Sequence, residues 1–180
     1  MQAKNLNRIL FVGTGGGNDI FSTLLAMFSL RGDGWRWREC DIAGVLSPFH
    51  RPTCVEVGTT GVYKIGAGDE RFVPRKDKEI KIGFVDAVVA NMVDNCKSLG
   101  IGNVYGLSLI GGTIGLAKTF VELGKKYDYI VLVDIGGDIF YRGAVDTHVL
   151  SPMFDAMVLK AFVDSKAPGI LFEAGPGTDG

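Results

Sequence analysis

Four apolar runs in this 180-residue chain each lead into a glycine-rich polar loop, and this repeated pattern is the strongest constraint on the fold. Each run has the length of a short strand that is buried on both faces. In a parallel sheet, the loops that follow the strands lie together at the carboxyl edge, where α/β proteins bind their ligands. We therefore expect a small-molecule site built from these loops, which cover residues 13–19, 111–113, 134–138 and 174–180.

Strand and helix patterns alternate along the chain, and this alternation is typical of an α/β protein. We predict a Rossmann-like, doubly wound, mostly parallel sheet with helices on both faces. The apolar periodicity predicts strands near 7–13, 40–46, 103–109, 129–134 and 169–173, and helices near 18–31, 83–98, 112–125 and 151–164. Two short strands around residues 58–61 suggest a hairpin. The alternating charges of residues 71–79 indicate a solvated surface segment.

The bulk properties favour a single domain spanning residues 1–180. The chain ends inside the loop after its last strand, so we expect an incomplete domain whose C-terminal part is missing. A net charge of −1 without a basic stripe argues against nucleic-acid binding, and no apolar run approaches the roughly 20 residues of a membrane span. Three cysteines without metal-binding spacing predict a reducing, cytoplasmic setting. A homo-oligomer is compatible with all of this.

The first loop opens a helix directly after a strand, so backbone N–H groups and the helix dipole favour an anion there. The dinucleotide fingerprint G-x-G-x-x-G fails, because its sixth position is occupied by an asparagine, and no phosphate-binding lysine follows. One interpretation is a contact to phosphate, carboxylate or ribose. The other is a tight turn capped by the asparagine or the aspartate. The candidate ligand-binding residues are Gly13, Gly15, Gly16, Gly17, Asn18 and Asp19.

The third loop places two carboxylates, Asp134 and Asp138, at the end of one strand. Gly136 and Gly137 between them allow a tight turn, so both side chains can face the same crevice. Such a pair can bind a divalent cation through oxygen or act as an acid and a base. We therefore name Asp134 and Asp138 as candidate catalytic residues and Asp138 as a metal ligand, with Mg²⁺ as the candidate cofactor. In the alternative interpretation, Asp138 caps a turn and Asp134 holds neighbouring backbone N–H groups.

Two further loops should reach the same edge of the sheet. Gly112 and Thr113 open a predicted helix and can bind an anion, although a plain helix start explains them equally well. Gly175 and Asp179 belong to the loop after the last predicted strand. We expect all four to contribute to ligand binding.

Four segments, taken together and in order, resemble the domain of unknown function 1152 family of uncharacterised proteins. They are residues 13–19, 133–138, 150–156 and 175–180. The resemblance extends over almost the whole chain and is weaker through residues 52–105. It implies a longer domain that continues past the terminal Asp-Gly, and a helix that carries the Asp155-Ala156 pair; it implies no established reaction. The chain departs from the family's pattern at Thr14 and Asn18.

Three functions are compatible with these loops. The first is an enzyme that binds a small phosphorylated or carboxylated metabolite or a nucleotide, with the aspartates holding Mg²⁺ or moving a proton. The second is a non-catalytic ligand-binding or sensor protein. The third is an actin-like sugar kinase, because residues 134–137 match the Asp-x-Gly-Gly phosphate loop of those enzymes, although that loop lies in an early hairpin there.

Overall fold

The computed structural model of the chain describes residues 4–15, 19–48, 51–76, 78–135 and 152–175. The strands within these ranges are β1 Asn5–Gly13, β2 Arg36–Leu46, β3 Arg51–Pro52, β4 Val55–Glu56, β5 Val62–Lys64, β6 Glu70–Arg75, β7 Lys78–Gly83, β8 Val104–Ser108, β9 Tyr129–Ile135 and β10 Gly169–Ala174. The helices are α1 Asp19–Gly32, α2 Val85–Asn95, α3 Gly112–Gly124 and α4 Pro152–Ser165. None of these helices is long and apolar enough to cross a membrane.

The main sheet has seven strands in the order β10-β9-β1-β2-β8-β5-β4. The first five pair in parallel, whereas β5 is antiparallel to β8 and β4 is antiparallel to β5. The predicted α/β class, its mostly parallel sheet and the hairpin around residues 58–61 are therefore confirmed. From β1 the chain adds β2 and β8 on one side, then returns to add β9 and β10 on the other. The order of strands consequently reverses between β1 and β9, which is the position where open α/β sheets place their ligands.

Strand β1 shows why the centre of the sheet consists of continuous apolar runs. Ile9 and Phe11 pack into the layer below α1 and α2, while Leu10 and Val12 pack into the layer below α3 and α4. All four side chains are fully buried, because a parallel strand with helices on both faces has no polar side. The prediction of helices on both faces is confirmed.

A second, three-stranded sheet of order β3-β6-β7 is absent from the sequence prediction. Residues 71–79 are predicted to be a plain surface segment, but residues 71–75 and 78–79 of this stretch pair in the antiparallel strands β6 and β7. Its strands have few buried side chains, and the turn residue Lys76 has a φ of 46° without being glycine. Strand β6 therefore lacks the polar–apolar alternation, and the turn lacks the glycine, that usually indicate a hairpin.

Candidate functional site

Three aspartates from three different elements meet at the reversal point of the sheet. Asp19 is the first residue of α1, Asp134 lies near the end of β9 and Asp155 lies in the first turn of α4. One carboxylate oxygen of each lies within 4.8 Å of the others. Asp134 is 0% exposed and Asp155 is 1% exposed, while Asp19 is half-buried. Together these residues form the three-aspartate cluster.

Thr14 fixes the first loop against the strand that carries Asp134. Its backbone N–H donates to the carbonyl of Val133 at 3.0 Å and so continues the β1–β9 pairing one residue past β1. Its Oγ1 donates to the same carbonyl at 3.2 Å and lies 3.5 Å from Oδ1 of Asp134. Because Thr14 is fully buried, the loop backbone and Asp134 are held in one fixed relation.

Two glycines allow this loop to lie directly against the cluster. A Cβ at Gly13 would lie 2.6 Å from the carbonyl carbon of Asp19, and a Cβ at Gly15 would overlap the carboxylate of Asp19. The Cβ at Gly15 would also lie 3.0 and 3.1 Å from the carboxylate oxygens of Asp155. Both positions therefore require glycine for the backbone to approach closely, as expected where a loop borders a ligand site.

The electrostatics of the cluster favour a cation. Three carboxylates this close together repel, most strongly for Asp134 and Asp155, which are shielded from water. The amino termini of α1 and α4 offset part of this repulsion, since each carries about half a positive charge. All three candidate ligand atoms are oxygens, and this donor set suits Mg²⁺, Ca²⁺ or Mn²⁺ rather than zinc or copper.

The structure brings only some of the predicted site residues together. Gly13, Gly15, Asp19 and Asp134 meet at the cluster, whereas Gly112 and Thr113 begin α3 after β8, two strands away from β1. Gly175 directly follows β10, the strand beside β9. The predicted residues that lie outside the described ranges are Gly16, Gly17, Asn18, Gly136, Gly137, Asp138 and Asp179.

Sequence reasoning did not select Asp155 as a site residue. It lies 21 residues after Asp134, inside a helix, where an isolated aspartate usually marks only a helix start. The one available signal was its place in a motif of the resembled family. Only the packing of α4 on the sheet, through the buried side chains of Val158 and Ala161, brings Asp155 to the cluster.

A different buried carboxylate, Asp41 of β2, lies further from the carboxyl edge of the sheet than Asp134 and is surrounded by hydrogen-bond donors. Its Oδ2 accepts the hydroxyl of Tyr127 at 2.6 Å, and its Oδ1 accepts the backbone N–H and side-chain amide of Asn103 at 2.8 and 2.9 Å. Nη2 of Arg8 lies 3.7 Å from Oδ2. Burial, followed by the bond to Asp41, raises the pKa of Tyr127 strongly, so this hydroxyl remains a donor. The arrangement is that of a structural network.

Asp86, in the first turn of α2, is a third kind of buried carboxyl. It is 7% exposed, and it packs so tightly against the backbone of Gly44 in β2 that a Cβ there would overlap it. Burial raises its pKa to about 6, while its backbone hydrogen bond and the charge of Arg71 oppose the shift. It does not belong to the three-aspartate cluster.

The fold and the cluster define a Rossmann-like α/β protein with an acidic site at the reversal point of its sheet. The chain belongs to the family described as protein of unknown function DUF1152, whose sequence model matches residues 67–180. This confirms the resemblance that the motifs indicated. The match includes Asp134 and Asp155 and does not extend to Asp19. No curated protein matches the sequence significantly.

Proposed function

We propose that this protein is an enzyme that binds a divalent cation, with Mg²⁺ the preferred candidate, together with a small anionic metabolite or nucleotide. The observation that carries the proposal is the meeting of Asp19, Asp134 and Asp155 within 4.8 Å at the reversal point of the sheet. Three carboxylate oxygens this close together, two of them on buried residues, form a donor set that a divalent cation can complete.

Different groups of the chain would bind the cation and the anion. The three aspartates would hold the cation, and Thr14 keeps Asp134 in position by bonding to the strand that carries it. The cation supplies positive charge that neutralises a phosphate or carboxylate of the substrate and polarises its oxygen atoms. The amino terminus of α1, which begins at Asp19, supplies further positive potential on the same side. An anionic ligand is therefore favoured over a neutral one.

Two alternatives use the same residues differently. In a binding or sensor protein the cluster holds the ligand and no reaction follows. In an actin-like kinase the strand before the Asp-x-Gly-Gly loop belongs to an early hairpin, whereas β9 comes late in the chain and pairs in parallel with both β1 and β10. This pairing favours the first two functions over the kinase.

Calorimetry and thermal unfolding with MgCl₂, MnCl₂ or a chelator test the cation site. A cation at a hundredfold excess over its Kd should stabilise the wild type by about 2.7 kcal/mol. Asp134→Asn and Asp155→Asn should each lose most of this gain, since each removes one charged ligand. Asp164→Asn is the matched control, because it changes an exposed aspartate of α4 that pairs with Lys160. It should respond to cations as the wild type does.

Equal cation stabilisation in the wild type, Asp134→Asn and Asp155→Asn would refute the cation site. If no cation binds and protonation alone stabilises the cluster, the carboxylates share a proton instead. Catalysis is tested separately by incubating the loaded protein with nucleoside triphosphates and sugar phosphates and measuring phosphate release. Ligand binding without any turnover across this panel would favour the sensor alternative.

A further inference from the structure

A groove of about 690 Å³ lies away from the three-aspartate cluster, between the β4–β5 hairpin and α3. Its size falls within the roughly 300–1,000 Å³ of small-molecule sites. The hairpin turn, residues 59–61, forms one wall, and the other is formed by α3, which carries Val121, and by the loop before it, which carries Ile110. The sheet order puts β2 and β8 between β1 and this hairpin, so the groove lies three strand spacings, about 14 Å, from β1.

Gly115, which has no side chain, leaves space along the α3 wall of this groove. It lies within α3, where glycine is a poor helix former, and a Cβ built on it meets no other atom within 4 Å. No packing within the described residues therefore explains the missing side chain. Gly115 lines the groove, so a side chain there would project toward the space that a ligand needs.

Among the charged side chains described at the groove, one lysine is available to bind an anionic ligand. Glu56 accepts the backbone N–H of Gly61 at 2.5 Å, and Glu122 pairs with Lys125 at 2.6 Å. Lys118 is exposed at the groove and, among the residues that the structure describes, has no ion-pair partner. Burial, followed by the charge of Glu56, raises the pKa of Tyr63, so its hydroxyl is a donor at neutral pH.

We infer that this groove is a second ligand site, which takes a small molecule with an apolar body and one carboxylate. Ile110, Val121 and the open face at Gly115 accommodate the body, and Lys118 binds the carboxylate. Tyr63 and the hydroxyl of Ser108, whose oxygen already accepts the N–H of Ile110 at 3.2 Å, have protons to donate to the ligand. The site is independent of the cation proposed at the three-aspartate cluster.

Titrations monitored by ¹⁵N-resolved NMR test this inference with 2-naphthoate and octanoate as probes and their neutral amides as controls. With chelator present throughout, addition of either probe should shift the backbone signals of Gly61, Gly111 and Gly115. Each carboxylate should bind about tenfold more tightly than its amide, since a charge-assisted bond to Lys118 is about twice as strong as a neutral one. Lys118→Met should abolish this preference while the amides bind as before.

Gly115→Ala separates a ligand site from an incidental opening. The added methyl should weaken binding of 2-naphthoate several-fold and still raise the melting temperature, because alanine is the better helix former. Gly32→Ala is the matched control, since Gly32 also lies in a helix with open space around its Cβ but far from the groove. Unchanged binding in Gly115→Ala, equal affinity for carboxylates and amides, or shifts that indicate only self-association would each overturn the inference.

Discussion

Asp41 and Asp134 lie on strands of the same sheet and are almost completely buried, at 3% and 0% exposure. Asp41 is level with Leu10 of β1 and is surrounded by donors from Tyr127, Asn103 and Arg8. Asp134 lies four residues further toward the carboxyl edge, where it forms a cluster with Asp19 and Asp155. The same side chain is therefore surrounded by hydrogen-bond donors in one region and placed beside two further carboxylates in the other.

Under the proposed function, the two regions separate a contribution to stability from a contribution to ligand binding. Around Asp41 every lone pair directed at a donor adds to folding, so the network holds β2 against the segments before β8 and β9. At the three-aspartate cluster, folding brings together carboxylates that repel, and the proposed cation would offset this repulsion. Stored repulsion of this kind is typical of binding sites.

The largest expected effect comes from making the same substitution in both regions. With chelator present, Asp41→Asn should lower the free energy of unfolding by about 3 kcal/mol, because an amide cannot accept from all of these donors. Asp134→Asn should lower it by clearly less, since it also removes one of three carboxylate charges that repel. Urea unfolding of both variants measures the contrast. Equal losses at the two positions would break the comparison.

A smaller effect is expected at Asp86, which has neither the donors of Asp41 nor the carboxylate neighbours of Asp134. Its pKa is raised from 3.8 to about 6, so between these values the folded protein keeps a proton that the unfolded chain has lost. Its contribution to stability is therefore complete below about pH 4 and is lost as the pH rises through about 6.

Asp86→Asn should abolish this pH dependence. At pH 7 the variant should be about 2 kcal/mol more stable than the wild type, and at pH 4 the two should be equal. Thermal unfolding at a series of pH values measures the difference. Asp94→Asn, an exposed position on the same helix, should follow the wild type throughout. A variant that keeps the wild-type pH profile would assign the shift to another group.

The smallest expected effect comes from removing one donor of the Asp41 network. Tyr127→Phe removes the hydroxyl that Asp41 accepts at 2.6 Å and should lower stability by about 1 kcal/mol. In the Asp41→Asn background the same change should have a smaller effect, because the two residues act on each other. A double-mutant cycle measures this coupling. Additive losses would mean that the hydroxyl contributes through packing alone.

The parallel sheet could be predicted because its central strands are buried on both faces and appear as apolar runs such as residues 130–133. The position of the cluster could be predicted in part, since Asp19 and Asp134 follow strands whose carboxyl ends must meet at one edge. The antiparallel β6–β7 hairpin could not be predicted, because most of its side chains reach solvent and Lys76 takes the turn conformation usually left to glycine.

Asp155 and Asp41 were missed for a common physical reason. What makes each carboxylate special is its neighbours in space, and these come from distant parts of the chain. Asp155 meets Asp19 only after α1 and α4 have packed on the sheet, and Asp41 meets Tyr127 across 86 residues of sequence. A local sequence pattern therefore cannot indicate either contact. Gly112 and Thr113 were predicted to share one site with the loops of the cluster, and they begin α3 after β8, which lies two strands from β1.

The central position of β1 leaves one of its edges unpaired for part of the time in which the chain is synthesised. One of its two sides is paired by β9, whose residue Tyr129 lies 120 positions after its partner Ile9. At about 5–20 residues per second, the apolar half of β1 in a nascent chain therefore waits roughly ten seconds for this partner. Strand β2 covers the other side much earlier. One edge of β1 is therefore open to pairing with other chains until β9 has been made.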